Sequence, residues 1–297
     1  MPRRIVLIAN PFASGVTQER LAAVEQALAV AGDVDVQHTR ARGHASELAA
    51  EARGADAIVV FSGDGGYNEV LNGLEGDAPI GLVPGGGTSV LPRALGLPRH
   101  SELAARRIAA ALNEGKTRRI SLGRVNGRRF GFNAGIGVDA EAVRRLDELG
   151  RADDGRRPGD AAFALTLART LAAHRLRFPA QLDVQGYGRA GLVFVANCDP
   201  YTYVGRAAIH LVPGAEFERG LDFVAPVEVG PLSLPVVALK ALAGRLRKGS
   251  RVLHGHDLDR LEIDCDEPLP LQADGEDLGD VEHVVFEAER GAISVLV

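Results

Sequence analysis

The feature that most constrains this chain is a glycine-rich turn, Ser62-Gly63-Asp64-Gly65-Gly66, between an apolar run and a helix-forming segment. Residues 57–61 are apolar throughout, which is typical of a strand buried on both faces of a parallel sheet. Glycines at a strand-to-helix turn leave backbone N–H groups accessible to a phosphate. Asp64 adds a carboxylate that can meet a metal ion or a substrate hydroxyl. The turn predicts a nucleotide-using enzyme, although a glycine cluster after a strand is also compatible with a tight turn alone.

Two more turns of this kind strengthen the prediction. Asn10-Pro11-Phe12-Ala13-Ser14-Gly15 follows the apolar residues 5–9, and Pro84-Gly85-Gly86-Gly87-Thr88-Ser89 follows residues 80–83. The first is also compatible with a helix cap and a proline turn. Three consecutive glycines cost backbone entropy, and close approach of the backbone to a ligand is their simplest use. Loops after parallel strands share one sheet edge, where open α/β sheets bind ligands.

The pattern of elements divides the chain near residue 120. Before it, strands alternate with helices, which predicts a doubly wound α/β domain over residues 1–120. The predicted strands are 4–9, 33–38, 57–61 and 80–83, and the predicted helices are 17–31, 45–53, 67–74, 89–95 and 100–114. After it, short β-like segments predict an antiparallel β-sandwich over residues 121–287. These segments are 117–125, 128–134, 180–186, 190–197, 221–228, 251–255, 260–265, 269–273 and 282–287. A helix over 161–177 is the exception, and the polar residues 151–160 are expected to form a mobile loop.

Composition favours a soluble enzyme of the cytoplasm. The 297 residues carry a net charge of −5, which argues against nucleic acid as the main partner. No run approaches the roughly 20 apolar residues of a membrane span, and no signal-peptide core precedes the first strand. The two cysteines, Cys198 and Cys265, do not form a disulfide framework. Basic clusters at 144–145, 156–157 and 245–251 are either solvated or in transient contact with anionic headgroups at the inner membrane surface.

The order of these motifs resembles the diacylglycerol kinase catalytic-domain family, which includes bacterial lipid kinases and sphingosine kinases and shares its fold with NAD kinases. The resemblance spans nearly the whole chain. The matching pieces are Asn10-Pro11 with Ser14-Gly15, Ser62-Gly63-Asp64-Gly65 with Asn68-Glu69-Val70 and Asn72-Gly73-Leu74, Pro84-Gly85-Gly86-Gly87 with 93–98, Asn133-Ala134-Gly135-Ile136-Gly137-Val138-Asp139-Ala140, and Asp274-Gly275-Glu276.

The resemblance implies an ATP- and Mg²⁺-dependent lipid kinase of phospholipid metabolism. It would transfer the γ-phosphate to a lipid hydroxyl, such as that of diacylglycerol, in a cleft between two domains. It also implies that about residues 288–297 return to the first domain. The implied nucleotide-binding residues are Asn10, Pro11, Ser14, Gly15, Thr39, Ser62, Gly63, Asp64, Gly65, Gly66, Asn68, Glu69, Gly85, Gly86, Gly87, Thr88 and Glu276.

Two carboxylates are candidates for accepting the proton of the substrate hydroxyl. Asp274 matches the motif proposed for that role in bacterial members, and Asp64 matches the carboxylate given it in sphingosine kinases. Asp274 is favoured, with Asp64 holding Mg²⁺ through the ATP or ordering the phosphates. Asp274-Gly275 is also a strong hairpin-turn signal, and both interpretations hold together. Glu276 would orient a neighbour or touch the nucleotide.

The chain departs from the family pattern at three places. Gly-Gly-Asp-Gly-Thr is usual where this chain has Ser62-Gly63-Asp64-Gly65-Gly66, so the absent threonine removes one phosphate contact at Gly66. Ser89 stands where Asn is usual. Arg219 stands where relatives often place an Asp that helps to hold a structural Mg²⁺, and a guanidinium cannot ligate metal. We therefore expect Arg219 to replace the charge of that ion by pairing with Glu216 or Glu218.

Two other functions stay open. A NAD kinase also uses a Gly-Asp-Gly turn, although Asn68-Glu69-Val70 and the late Asp-Gly-Glu favour the lipid branch. A degenerate member that binds nucleotide or lipid as a sensor is the second alternative, motivated by Gly66, Ser89 and Arg219. The sequence leaves the lipid undetermined, and it leaves open a homodimer through an exposed strand edge.

Overall fold

The structure is a computed structural model that describes residues 2–148, 160–248 and 251–297. Its described part divides into two compact units. Unit 1 contains Met1–Ile120 and Gly291–Val297, and unit 2 contains the described residues between Ser121 and Arg290. A mobile loop was predicted for residues 151–160. Residues 151–159 lie outside the described part of the chain, and residue 160 begins a helix.

Unit 1 is built on a parallel sheet in which helices alternate with strands. Its elements are β1 (Arg4–Ala9), α1 (Gln18–Leu28), β2 (Asp33–His38), α2 (His44–Glu51), β3 (Ala57–Ser62), α3 (Asp64–Gly73), β4 (Ile80–Pro84), α4 (Val90–Ala94) and α5 (Ser101–Glu114). The strand order is β2-β1-β3-β4. Every residue of β3 is buried because helices cover both faces of the sheet, with α1 packed against α5 and α2 against α3.

Helix α3 begins at Asp64, three residues earlier than the predicted 67–74. Asp64, Gly65 and Gly66 therefore form its first turn rather than a loop. Glycine disfavours helix interiors, which is why the sequence pattern placed the start too late. The consequence is that the unpaired N–H groups of a helix start lie directly after β3.

Unit 2 is mostly antiparallel. Its strands are β5 (Arg118–Val125), β6 (Arg128–Phe130), β7 (Asn133–Ile136), β8 (Leu182–Val184), β9 (Gly188–Ala190), β10 (Val193–Ala196), β11 (Thr202–Val204), β12 (Ala207–Ile209), β13 (Leu221–Pro226), β14 (Val252–Leu258), β15 (Arg260–Ala273) and β16 (Glu276–Val295). Its helices are α6 (Val138–Glu148), α7 (Asp160–Ala173) and α8 (Leu234–Leu242), followed by a 3₁₀ turn at Leu246–Lys248.

The long hairpin of β15 and β16 joins two antiparallel layers. One layer has the order β14-β13-β10-β7-β15, and the other runs β9-β8-β15-β16-β5-β6. The register of β15 against β16 shifts between Asp264 and Leu269, where β15 passes from one layer to the other. Both layers contribute to one core, in which the rings of Phe130 and Phe286 meet edge to face at 6.4 Å. The end of β16 lies in unit 1, where Val295 pairs in parallel with Ile80 of β4.

The predicted fold class, an α/β layer plus an antiparallel sandwich, is confirmed, but several elements differ. The predicted strands 260–265 and 269–273 are one strand, since a polar bend does not interrupt a long hairpin. The predicted strand 128–134 is two strands. Helices α6 and α8 were not predicted. In the described part of the chain, no helix is long and apolar enough to cross a membrane.

Candidate active site

The three glycine loops of unit 1 are joined directly by backbone hydrogen bonds. The Gly15 N–H donates to the Gly85 carbonyl over 2.8 Å, and the Gly85 N–H donates to the Ser62 carbonyl over 2.7 Å. The Asn10 N–H donates to the Phe61 carbonyl over 3.0 Å. The loops after β1, β3 and β4 therefore form one connected surface at the carboxyl edge of the sheet.

Most of these glycines are required by the packing of the loops on each other. A Cβ at Gly15 would lie 2.8 Å from the Gly85 oxygen, and one at Gly86 would lie 2.8 Å from the Gly63 Cα. A Cβ at Gly85 would lie 2.9 Å from the Ser62 oxygen. Gly87 is different, because a Cβ there would meet no atom within 4 Å. At Gly87 the bare backbone faces open space, where a ligand can approach.

Ser62 and Gly66 fill one space between them. Ser62 is buried, and a Cβ on Gly66 would lie 2.7 Å from the Ser62 Cβ and far inside van der Waals contact with its Oγ. The same Cβ would lie 3.8 Å from Asn10 Nδ2, so these three residues converge. Ser62 Oγ has no hydrogen-bond partner among the described residues. A serine hydroxyl is thus buried next to position 66, where the chain lacks the usual threonine.

Asp64 links the second and third loops. Its Oδ1 accepts the Val90 N–H over 2.7 Å and so caps the start of α4. Just before Val90, Ser89 adopts a left-handed conformation with φ of 48° and is buried, with its Oγ 3.2 Å from the Gly86 nitrogen. Beneath these loops the Tyr67 hydroxyl lies 2.7 Å from the Ser62 oxygen. Burial, and then the charge of Asp64, raise the pKa of Tyr67 well above its usual value, so the phenol stays neutral.

The other residues predicted to bind the nucleotide differ in how buried they are and in what they contact. Glu69 faces α2, since its carboxylate accepts the Ala45 N–H over 3.2 Å. Asn68 is fully buried, and its side chain meets the Asn72 amide at 3.2 Å. Thr39 is buried after β2, with its N–H donating to the Ala9 carbonyl. Pro11 and Ser14 are exposed, whereas Gly65 in α3 and Thr88 beside Gly87 are partly buried.

In unit 2, Asp274 and Gly275 form the two-residue turn between β15 and β16. Both have positive φ, 50° and 75°, as expected for an Asp-Gly hairpin turn. The Asp274 carboxylate points inward and accepts three successive backbone N–H groups, from Gly131 (2.6 Å), Phe132 (3.0 Å) and Asn133 (3.2 Å). The predicted hairpin turn is therefore present, and the same geometry that makes the hairpin fixes the orientation of the carboxylate.

A buried polar network supports this turn. Gln272 accepts the Gly275 N–H over 2.9 Å, and its amide donates to Asn133 Oδ1 and Asp139 Oδ2 over 3.1 Å each. The Tyr201 hydroxyl donates to Asp139 Oδ2 over 2.9 Å. Burial raises the pKa of Asp139, and burial together with Asp139 raises that of Tyr201. Asp139 and Asn133 lie in a motif that the sequence singled out, whereas Tyr201 and Gln272 carry no sequence signal.

Glu276 follows the turn and contacts a cation. Its Oε2 lies 2.5 Å from Arg128 Nη2, and the residue is nearly buried. Sequence analysis left open whether Glu276 orients a neighbour or touches the nucleotide. The ion pair is the contact expected of the first role.

Arg219 makes the predicted ion pair, with its Nε 3.1 Å from Glu216 Oε2. Its Nη1 also lies 2.8 Å from His256 Nε2, while His256 Nδ1 lies 2.8 Å from a carboxylate oxygen of Asp222. Asp222 is fully buried and forms a further ion pair with Arg247. Sequence analysis missed Arg247, which lies 25 residues along the chain from the carboxylate that it neutralises.

Comparisons with known proteins show which family and which folds this chain resembles. The model of the family described as the diacylglycerol kinase catalytic domain matches residues 4–125. Over these residues the chain is similar to a diacylglycerol kinase catalytic domain.

Relatives of this catalytic domain extend the match over the chain. A protein named diacylglycerol kinase from Bacillus subtilis is 28% identical, over 92% of this chain and 90% of its own length. A diacylglycerol kinase from Mycobacterium tuberculosis is 37% identical over 34% of each chain.

Solved structures share the fold. A diacylglycerol kinase from Bacillus anthracis superimposes with a TM-score of 0.71 at 22% identity, covering 99% of this chain and 97% of that one. An NAD kinase from Archaeoglobus fulgidus, solved with ATP, has a TM-score of 0.52 at 14% identity over 99% and 93%. The predicted resemblance, the shared NAD kinase fold and the assignment as a lipid kinase are confirmed.

Because Ser62 and Gly66 share one space, we predict that the effect of Gly66→Ala on the unfolding free energy depends on the residue at position 62. Gly66→Ala should destabilise unit 1 by about 1–3 kcal/mol, because it overpacks the space of the Ser62 side chain. In a Ser62→Gly background the same change should stabilise α3 by up to about 1 kcal/mol, since alanine is the better helix former. Denaturant unfolding of the four proteins of this cycle measures the coupling. Additive effects would show that the two positions do not share the space.

The raised pKa of Asp139 predicts a pH-dependent stability. Since the folded pKa exceeds the unfolded one, this group favours folding most below its unfolded pKa of about 3.9, and the contribution is lost as pH rises through the folded pKa. The unfolding free energy of the native protein should therefore fall with pH relative to Asp139→Asn, by at most about 1.4 kcal/mol per pH unit. Glu267→Gln, at an exposed position of unit 2, is the control. Parallel curves for the native protein and Asp139→Asn would contradict the prediction.

Proposed function

We propose that this protein is an ATP- and Mg²⁺-dependent lipid kinase that transfers the γ-phosphate to a lipid hydroxyl, in the simplest case that of diacylglycerol. The observation that carries the nucleotide part is the connected loop surface of unit 1. There the Ser62 hydroxyl is buried without a partner among the described residues, beside the Asn10 amide and the open backbone at Gly87. A buried unpaired hydroxyl is costly, and a phosphate oxygen is the acceptor that would satisfy it.

The chain's own residues would bind and orient the phosphates. The N–H groups at the start of α3 and around Gly87 supply donors and a favourable dipole for an anion. Asp64 fits a role as Mg²⁺ ligand, because it is a carboxylate on the first residue of α3 and a bridge between two loops. The ion would neutralise charge on the transferred phosphate when bound.

Asp274 is our candidate for the group that accepts the proton of the lipid hydroxyl. Three backbone N–H groups hold its carboxylate in one orientation, which would fix its position relative to the lipid hydroxyl. The network of Gln272 and Asn133 holds the turn, and Glu276 positions Arg128 beside it. Asp64 is the alternative base.

The lipid substrate is proposed from the names of relatives. The Bacillus subtilis and Mycobacterium tuberculosis proteins are named diacylglycerol kinases. The NAD kinase neighbour, solved with ATP, keeps NAD as a second candidate acceptor because it shares the fold. A binder without turnover is the remaining alternative.

Transfer of label from γ-labelled ATP in the presence of Mg²⁺ tests the proposal. The acceptors are diacylglycerol, sphingosine, phosphatidylglycerol, ceramide and NAD, and label is expected in diacylglycerol. Label in NAD alone would replace the proposal with an NAD kinase. ATP binding in calorimetry with no transfer to any acceptor would contradict an enzyme of this class.

Gly87→Ala separates ligand contact from loop packing. Since a Cβ at Gly87 meets no protein atom, the variant should keep its unfolding free energy yet bind ATP about tenfold or more weakly, as the methyl occupies the phosphate approach. Gly230→Ala, another glycine with open space and ordinary φ, is the matched control and should leave both quantities unchanged. Unaltered ATP affinity in Gly87→Ala would remove this loop from the site.

Replacing the two carboxylates distinguishes their roles. Asp64→Asn should raise the Mg²⁺ concentration needed for half-maximal rate, whereas Asp274→Asn should lower kcat by about 10²–10⁴ and flatten the acidic limb of its pH profile. Asp274→Asn should also lose about 1–3 kcal/mol of stability, because an amide N–H₂ would face backbone donors. Asp277→Asn, on the same hairpin, is the control for stability effects alone. An unchanged pH profile in Asp274→Asn together with a flattened one in Asp64→Asn would reassign the base to Asp64.

A further inference from the structure

Helix α8 is apolar on both sides. Its sequence, Leu-Pro-Val-Val-Ala-Leu-Lys-Ala-Leu, has one charged residue. Leu234, Val237 and Ala241 pack on a core cluster of unit 2. On the other side Leu239 is 68% exposed and Leu242 is 61% exposed. A surface helix ordinarily carries polar residues on its outer side, so this side is built for contact.

The exposed residues form one patch. Leu232, just before the helix, is 94% exposed and Val236 is 52% exposed. We call Leu232, Val236, Leu239 and Leu242 the α8 apolar face. The other exposed large apolar residues of the described chain lie on separate elements, at Phe12, Val30, Leu103, Leu165 and Tyr187. Single exposed apolar residues are ordinary, whereas a patch marks an interaction surface.

A depression lies at the edge of this face. Its volume is about 370 Å³, and its lining includes Leu232, Val236, Lys240 and the ion pair of Arg251 with Glu228. The surface next to the apolar face is therefore concave, and Lys240 is a cation on it.

The charge around α8 is opposite to that of the whole chain. Residues 229–256 contain five Lys or Arg and no Asp or Glu, whereas the chain has a net charge of −5. Arg247 is engaged with Asp222, and Arg251 pairs with Glu228 at 3.0 Å. Lys240 and the exposed Arg245 flank the apolar face. The long stem of Lys240 lets its ammonium reach outward past the apolar surface.

We propose that the α8 apolar face inserts into the surface of a lipid bilayer that contains anionic lipid. Leucines on one side of a helix with lysine and arginine at its border are the composition of an interfacial membrane helix. Each cation near an anionic surface adds about 1 kcal/mol of attraction. A second copy fits less well, because a two-fold interface on this face would bring two such basic segments together. The proposal rests on the proposed function, since a kinase acting on a lipid must reach the bilayer.

Flotation with vesicles tests the proposal without ATP. The full chain is mixed with phosphatidylcholine vesicles that either contain or lack phosphatidylglycerol. We expect binding to the anionic vesicles that weakens with salt. Leu239→Ser combined with Leu242→Ser should lower the partition coefficient by about tenfold or more. Lys240→Gln combined with Arg245→Gln should lower it by about tenfold on anionic vesicles and leave it unchanged on neutral ones.

Matched controls come from unit 1. Val30→Ser with Leu103→Ser removes exposed apolar residues elsewhere, and Arg53→Gln with Arg106→Gln removes exposed cations elsewhere. Neither pair should alter vesicle binding. Thermal unfolding and light scattering of each variant verify the fold and the oligomeric state.

The outcomes separate this proposal from the proposed function. Vesicle binding that the α8 variants retain would overturn the docking surface. A dimer in light scattering that the leucine variant dissociates, without vesicle binding, would assign the face to a second copy and overturn it too. Phosphorylation of a soluble short-chain diacylglycerol should be unchanged in the leucine variant. If the native protein binds vesicles through α8 but phosphorylates no acceptor, the docking surface stands and the proposed function fails.

Discussion

The arrangement of unit 1 depends on the hydrogen bonds that join the Gly15, Gly85 and Ser62 backbones. These bonds are only 2.7–2.8 Å long between residues of three different loops, and they form because no side chain keeps the strands' ends apart. Gly85 donates one of these hydrogen bonds and accepts the other, so the third loop lies between the first and the second. The glycines therefore have a structural role, because they allow the three loops to pack into one continuous backbone surface. Gly87 lies beyond that contact, and its backbone faces open space.

Unit 2 contains buried carboxylates, which must be compensated by hydrogen-bond donors or cations. Asp274 is held by backbone N–H groups, whereas Asp222 is held by Arg247 and His256. Asp139 has the Tyr201 and Gln272 donors on one oxygen and no partner on the other among the described residues. Its raised pKa is the expected response to that incomplete compensation.

The parts of the structure that the sequence predicted are those with a local signal. Strands β1, β3 and β4 are apolar runs ended by glycine or polar turns, and β2 alternates polar residues with valine over its first four positions. The bounds of all four strands differ by at most one residue from the prediction. The late start predicted for α3 follows from glycine propensity, which the tertiary contact of Gly66 with Ser62 overrides. Tyr201, Gln272 and Arg247 were missed because each acts on a residue at least 25 positions away, or through a network that no spacing reveals. The outer side of α8 was missed because an apolar helix looks the same to a sequence pattern whether it is buried or exposed.

The Ser62 and Gly66 pair shows why a departure from a motif need not be a loss of function. Compared residue by residue, the turn lacks a threonine hydroxyl and gains a serine at a position that usually has glycine. In three dimensions the two changes compensate for each other, because the space holds a side chain from position 62 or from position 66 but not from both. The hydroxyl remains buried beside Asn10, while α3 accepts a glycine in its first turn, where the cost in helix propensity is smallest. In this chain Ser62 therefore supplies both the volume and the hydroxyl at this edge of the sheet, and Gly66 leaves room for them.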